Sequence, residues 1–179
     1  PVGENANWFQ KPCYVWQEIE VPVIAAIKGV AFGGGIQLAL AADFRIAAPD
    51  SKFSIMESKW GIIPDLGITQ NLPKLTRADI AKELIMTGRI FDGKEAFNLG
   101  LVTMIDKDPL ASAEGFANKL VEKSPDVLKG AKKLIEESWV APLGEGLTME
   151  SDIQSRIMGY ENNIEAVMAT VQKRPAKFK

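Results

Sequence analysis

Residues 21–43, VPVIAAIKGVAFGGGIQLALAAD, constrain the fold more than any other stretch. Residues 21–27 are almost continuously apolar, with the length and β-branched content of a strand covered on both faces. Glycine then interrupts: first Gly29, and after Ala31 and Phe32 the unbroken run Gly33, Gly34, Gly35. Adjacent residues without a Cβ let the backbone turn sharply and let another group approach the main chain closely. Ile36, Leu38, Ala39, Leu40, Ala41 and Ala42 follow, a helix too apolar to face water, so a core helix is expected. A strand, a glycine turn and a helix in this order leave free N–H groups at the positive end of a helix, which suits an oxyanion. Tight packing of strand against helix accounts for the same residues. Two phosphate-binding loops are excluded, since no Lys-Ser or Lys-Thr follows the glycines and their spacing is not GxGxxG.

The chemistry open to this chain is narrowed by what it lacks. Its 179 residues include no histidine and one cysteine, Cys13. Without imidazole, Ser-His-Asp and Cys-His nucleophile schemes and the common zinc sites fall away, so no metal is expected. Proton transfer near neutral pH then rests with a carboxylate, a lysine, a tyrosine or water, and carboxylates are the first candidates. A single cysteine excludes an internal disulfide and fits a reducing, cytoplasmic setting. The net charge of −2 argues against a nucleic-acid partner, which requires a basic surplus on some face. No apolar run is long enough to span a membrane, because Lys28 and the glycines break the one at 21–27, and no signal-peptide pattern opens the chain. The length and the 46% hydrophobic content suit one good core, with room for an appended helical piece.

Along the chain, residues 1–11 are polar and poorly periodic, the pattern of a loop, and 13–20 read as a helix end leading into the strand, with Trp16 and Ile19 inward. After the core helix, 44–48 and 52–55 are short strands separated by a turn at Pro49 and Asp50. Residues 56–72 hold Gly61, Pro64 and Gly67 and are expected to form a loop over a pocket. Residues 77–87 have helical spacing and stop at Gly88; 92–99 are a second short helix, and 101–105 a strand. Strands alternating with helices indicate an α/β arrangement with a largely parallel sheet. From Pro109 the pattern is helical throughout: 110–123, then 126–139 with Ser124 as N-cap and Pro125 at the first helical position, then 145–173 with a break near Gly159. Two regions are therefore expected, 1–108 mixed α/β and 109–179 helical.

Several polar residues in these segments could carry chemistry, and each has a plain alternative. Glu57 follows the strand KFSI, either as a working carboxylate or as a solvated residue at a strand end; its neighbours Met56, Trp60, Ile62 and Ile63 are expected to shield it from water. Gln37 is a hydrogen-bonding group unable to take a proton, or a polar residue on the first turn of a helix. Asp65, after Pro64, is a second carboxylate or a turn former. Lys173 and Arg174, in KRPAKFK, make an anion contact or a basic tail.

IAAIKGVAFGGGIQLALAADFRIAA resembles the central signature of the crotonase (enoyl-CoA hydratase/isomerase) superfamily, and the resemblance continues through KFSIMESKWGIIPDLGITQNLPKL and TGRIFDGKEAFNLGLVTMI to KRPAKF. It implies a core of β-β-α spiral turns followed by a C-terminal all-helical trimerisation region. It also implies an acyl-CoA thioester substrate, a homotrimer or a hexamer of paired trimers, and no cofactor, coenzyme A being part of the substrate. The Gly34 N–H would form half of an oxyanion hole for the thioester oxygen, with Glu57 as general acid/base and Asp65 as a relay or second acid. Gly33, Gln37, Ile63, Pro64 and Lys173 would contact the substrate, Lys173 at the CoA phosphates. Typical hydratases carry a second glutamate at the position of Gln37, so its amide tilts the expectation from hydration toward double-bond isomerisation; the run from Asp65 resembles the isomerase branch. The match begins late in the family pattern, and the first turns of the spiral, with the loop supplying the second oxyanion N–H, have no counterpart before residue 21.

Overall fold

The structure, a computed structural model, describes residues 6–179. The chain divides into two compact units, one running up to Ile19 and over Val23–Glu114, the other formed by Glu20–Pro22 and Gly115–Lys179.

The first unit is mixed α/β. Helix α1 (Lys11–Glu18) precedes β1 (Ile24–Ile27), β2 (Val30–Phe32) and α2 (Gly34–Leu40); β3 (Phe44–Ala47), β4 (Lys52–Ser54) and a single 3₁₀ turn (Glu57–Trp60) follow. Then come α3 (Ile68–Leu75), α4 (Ala78–Thr87), β5 (Phe91–Asp92), α5 (Gly93–Asn98) and β6 (Met104–Ile105). The strands make two small sheets, ordered β1-β3-β6 and β2-β4-β5. Every pairing is parallel except that of β4 with β5. The parallel alternation expected from the sequence is present, but as two sheets, because Gly29 (φ +85°) turns the apolar run and sends β2 to a different partner from β1. The strand itself is shorter than residues 21–27, and β2 falls where only glycine turns were expected.

Ile27, Ile36, Leu40, Phe53, Ile55, Ile68, Leu72, Leu84, Phe91 and Leu101 fill one core, with the rings of Phe53 and Phe91 stacked at 5.8 Å. Residues 68–72, expected as loop, are helical. Ile68 and Leu72 recur at helical spacing and are each 1% exposed, so burial of that stripe outweighs the cost of Pro73 inside the helix. Arg45 is buried on β3 and donates to the carbonyls of Leu101 and Ala42, the latter just past the end of α2; burial lowers its pKa to about 10. Two backbone carbonyls that would otherwise be stranded in the core are thereby satisfied.

The division between the units falls within α6 (Pro109–Val121), and the second unit continues with α7 (Pro125–Ser138), α8 (Leu143–Ile157) and α9 (Glu161–Val171). A Cβ on Gly130 would come within 2.9 Å of Ile153 Cγ2, so this glycine lets α7 and α8 approach closely. The break between α8 and α9 is at Gly159 (φ +81°), as expected. Ser124 stands at the N-cap of α7, but its side chain makes no capping bond and its buried Oγ has no hydrogen-bond partner. The final residues fold back along α9: Asn162 accepts from Lys179 N at 2.9 Å, and Glu165 accepts from the Arg174 guanidinium and from Lys177 N. Among the described residues no helix is long and apolar enough to cross a membrane.

Candidate active site

The glycine turn and Glu57 meet because β2 and β4 are paired side by side, with Phe32 opposite Ser54. The chain leaves β2 directly into Gly33, and two residues after β4 it enters the 3₁₀ turn at Glu57. Gly33 adopts φ +53°, ψ −118°, and its N–H donates to Ser54 O at 2.9 Å, which ties the turn to the end of the neighbouring strand. That amide is therefore engaged. Gly34 and Gly35 open α2, where first-turn N–H groups have no acceptor within the helix.

Gln37, on the first turn of α2, is 1% exposed and lies between two partners. Its Nε2 donates to Glu57 Oε1 at 2.7 Å, and its Oε1 accepts from Leu66 N at 2.9 Å. Glu57 is 7% exposed, and its second oxygen, Oε2, is buried without a hydrogen-bond partner. Leu66 also packs against the turn, since a Cβ on Gly34 would sit 3.2 Å from its Cδ1. Gly33, Gly34, Gln37, Glu57 and Leu66 thus form one group.

The other residues singled out in the sequence lie outside that group. Pro64 is buried, while Asp65, one residue before Leu66, is exposed, and so is Ile63. Lys173 belongs to the second unit, exposed after the end of α9 with φ +51°. The expected shielding of Glu57 comes from elsewhere: Trp60, Ile62 and Ile63 point to solvent, and the carboxylate is covered by Gln37 and the glycine turn. Leu66 had no signal in the sequence, because its importance comes from a contact with a distant glycine. Among the described residues no cluster of three or more His, Cys, Asp or Glu side chains could hold a metal ion. Chemically, a buried carboxylate with one oxygen held and the other free can take up and return a proton.

The family model for enoyl-CoA hydratase/isomerase matches residues 7–179. The chain belongs to this family. Among relatives in it, human mitochondrial methylglutaconyl-CoA hydratase is 35% identical over 167 residues, covering 90% of this chain and 49% of that protein. A probable enoyl-CoA hydratase of Bacillus subtilis is 38% identical over 161 residues, covering 88% of this chain and 62% of its own length. The crystal structure of enoyl-CoA hydratase from Bacillus anthracis superposes with a TM-score of 0.92 at 32% identity, over 99% of this chain and 73% of that one. The chain thus spans about half the length of the methylglutaconyl-CoA hydratases it matches.

Proposed function

We propose that this chain carries the enolate-forming centre of an acyl-CoA enzyme. In this reading the thioester oxygen accepts from the Gly34 N–H while Glu57 removes a carbon-bound proton. The observation that carries it is the placement of the Glu57 carboxylate, buried and with Oε2 unpartnered, against the glycine turn that opens α2. One oxyanion donor is worth about 3 kcal/mol of barrier, so a second donor elsewhere in the whole protein is part of the proposal. No metal or redox cofactor enters, and coenzyme A arrives with the substrate.

Within this chemistry, double-bond migration is the first reading. The position that would hold a second carboxylate is Gln37, whose amide cannot accept a proton. Moving a proton from one carbon to another through a dienolate needs only one carboxylate, which Glu57 supplies, with Asp65 as a relay toward solvent. Hydration of a 2-enoyl-CoA is the second reading, favoured by the names of the human and B. subtilis relatives. A member that binds acyl-CoA without turnover is the remaining alternative.

The proposal extends to architecture: residues 1–108 as part of a β-β-α spiral core, and 109–179 as a trimerising helical region. Exposed Leu143, Leu147, Ile164, Val167 and Val171 on α8 and α9 support assembly into a homotrimer or hexamer. Gly33, Ile63, Pro64 and Lys173 would line the bound thioester, Lys173 at its phosphates.

The test is to offer a 3-enoyl-CoA and a trans-2-enoyl-CoA to the protein and to Glu57→Gln. Bond migration lost in the variant supports the first reading, and water addition lost in the variant supports the second. Acyl-CoA binding without either reaction, unchanged in the variant, refutes the enzyme.

A further inference from the structure

We infer that Gln37 is a positioning residue whose single side-chain amide holds Glu57 and the backbone of Leu66 together, leaving Oε2 as the one carboxylate oxygen available to carry a proton. The inference rests on the proposed enolate chemistry for its catalytic meaning, but its geometry stands apart from it. Three observations combine. Gln37 is almost fully buried, and its donor and its acceptor are both engaged by the protein, at 2.7 Å to Glu57 Oε1 and 2.9 Å to Leu66 N. Glu57 Oε2 is buried with no partner, an arrangement costly for a carboxylate unless it serves a ligand. Leu66, the far end of the tether, is also the residue packed on Gly34.

The physical consequence is a division of labour between the two carboxylate oxygens. An N–H donating to Oε1 engages that oxygen and fixes the plane of the group. Oε2 is left as the oxygen that no protein donor engages. Because the same amide accepts from Leu66 N, the position of the Leu66 backbone is coupled through Gln37 to that of the carboxylate. A glutamate at position 37 would keep the acceptor for Leu66 but would donate to Glu57 only when protonated.

The experiment measures hydrogen exchange at the Leu66 amide and the ¹³C resonance of the Glu57 carboxyl, assigned by its loss in Glu57→Gln. Both are followed in the whole chain and in Gln37→Leu, Gln37→Glu and Ile36→Val, the last a packing control at the neighbouring buried position. Expected for Gln37→Leu are Leu66 exchange faster by about tenfold, a displaced Glu57 resonance, and kcat lower by about tenfold at little-changed KM. Gln37→Glu keeps slow Leu66 exchange, since a carboxylate oxygen still accepts from Leu66 N, but displaces the Glu57 resonance. The inference is overturned if Gln37→Leu leaves both spectroscopic readouts in place, or if Ile36→Val moves them equally. Both readouts moving in a protein that turns over neither enoyl-CoA would uphold the tether and refute the proposed bond migration and hydration.

Discussion

A β-carbon built on Gly33 lies 3.4 Å from Oε1 of Glu57, so the glycine turn and the carboxylate share one wall. Side chains can stand at that spacing, but the backbone of Gly33, at φ +53° and ψ −118°, is one that residues with a Cβ rarely adopt. Gly33→Ala is expected to lower stability by about 1–3 kcal/mol, read from the denaturant midpoint, with the strain centred on the turn. A midpoint equal to that of the parent would mean the turn is not held in this conformation.

Glu57→Gln separates function from stability. Turnover of the preferred enoyl-CoA should fall by about 10³-fold, the contribution expected of a general base. The melting temperature should stay level or rise, because a buried carboxylate oxygen without a partner is replaced by a neutral group. A variant that melts earlier and retains activity would place the carboxylate among structural groups.

Gly34 and Leu66 are coupled by contact. Gly34 lies within α2, so alanine there suits the backbone, but its Cβ would reach to 3.2 Å of Leu66 Cδ1. Gly34→Ala should cost about 1 kcal/mol by overpacking, and Leu66→Ala in the same chain should relieve it. Purely additive effects in the double-mutant cycle would show that the two residues do not touch.

Gly93 is irreplaceable for a different reason. A Cβ at this first residue of α5 would stand 2.2 Å from Ala48 O, a backbone atom that has no rotamer to escape through. Gly93→Ala should destabilise by about 2–3 kcal/mol, measured by thermal or chemical unfolding, with Gly115→Ala, in open space on α6, as the neutral comparison.

The fold-back of the last residues onto α9 should respond to acid. Contact with the Arg174 guanidinium, and secondarily with Lys177 N, lowers the Glu165 pKa from an ordinary 4.5 to about 2. A carboxylate with a depressed folded pKa contributes fully above its unfolded value and loses that contribution as pH falls through the folded one. The Lys177 amide should therefore remain protected above about pH 4.5 and become exchangeable as pH falls toward 2. High salt should weaken the same contact, since the pair is close to solvent. Protection that is independent of pH across this window would show that the ion pair does not hold the segment.

Much of the local structure could be read from the chain itself. Gly88 and Gly159 end their helices where they were expected to, because a left-handed residue after a helical run is written in one letter. The strands at Phe44–Ala47 and Lys52–Ser54 announced themselves by apolar content between turn residues. Helix α3 did not, because Gly61, Pro64 and Gly67 before it look like loop residues and Pro73 lies inside it, and only the core against which Ile68 and Leu72 pack outweighs them. Ser124 held the expected N-cap position without making the expected bond, since the position depends on backbone path and the bond on side-chain direction.

What the sequence by itself determined was the family signature, a glycine turn feeding an apolar helix, a glutamate as the candidate proton carrier in a chain without histidine, and a glutamine where hydratases of the family carry a second acid. Those are properties of residue type and order. Only the tertiary structure decided that Gln37 joins Glu57 to Leu66, that one carboxylate oxygen is held while the other is unpartnered, and that Asp65 faces solvent. The physical reason is that Gln37 and Glu57 are twenty residues apart and are brought together by the pairing of β2 with β4. No local preference records which atoms such a long-range pairing sets within 3 Å of each other.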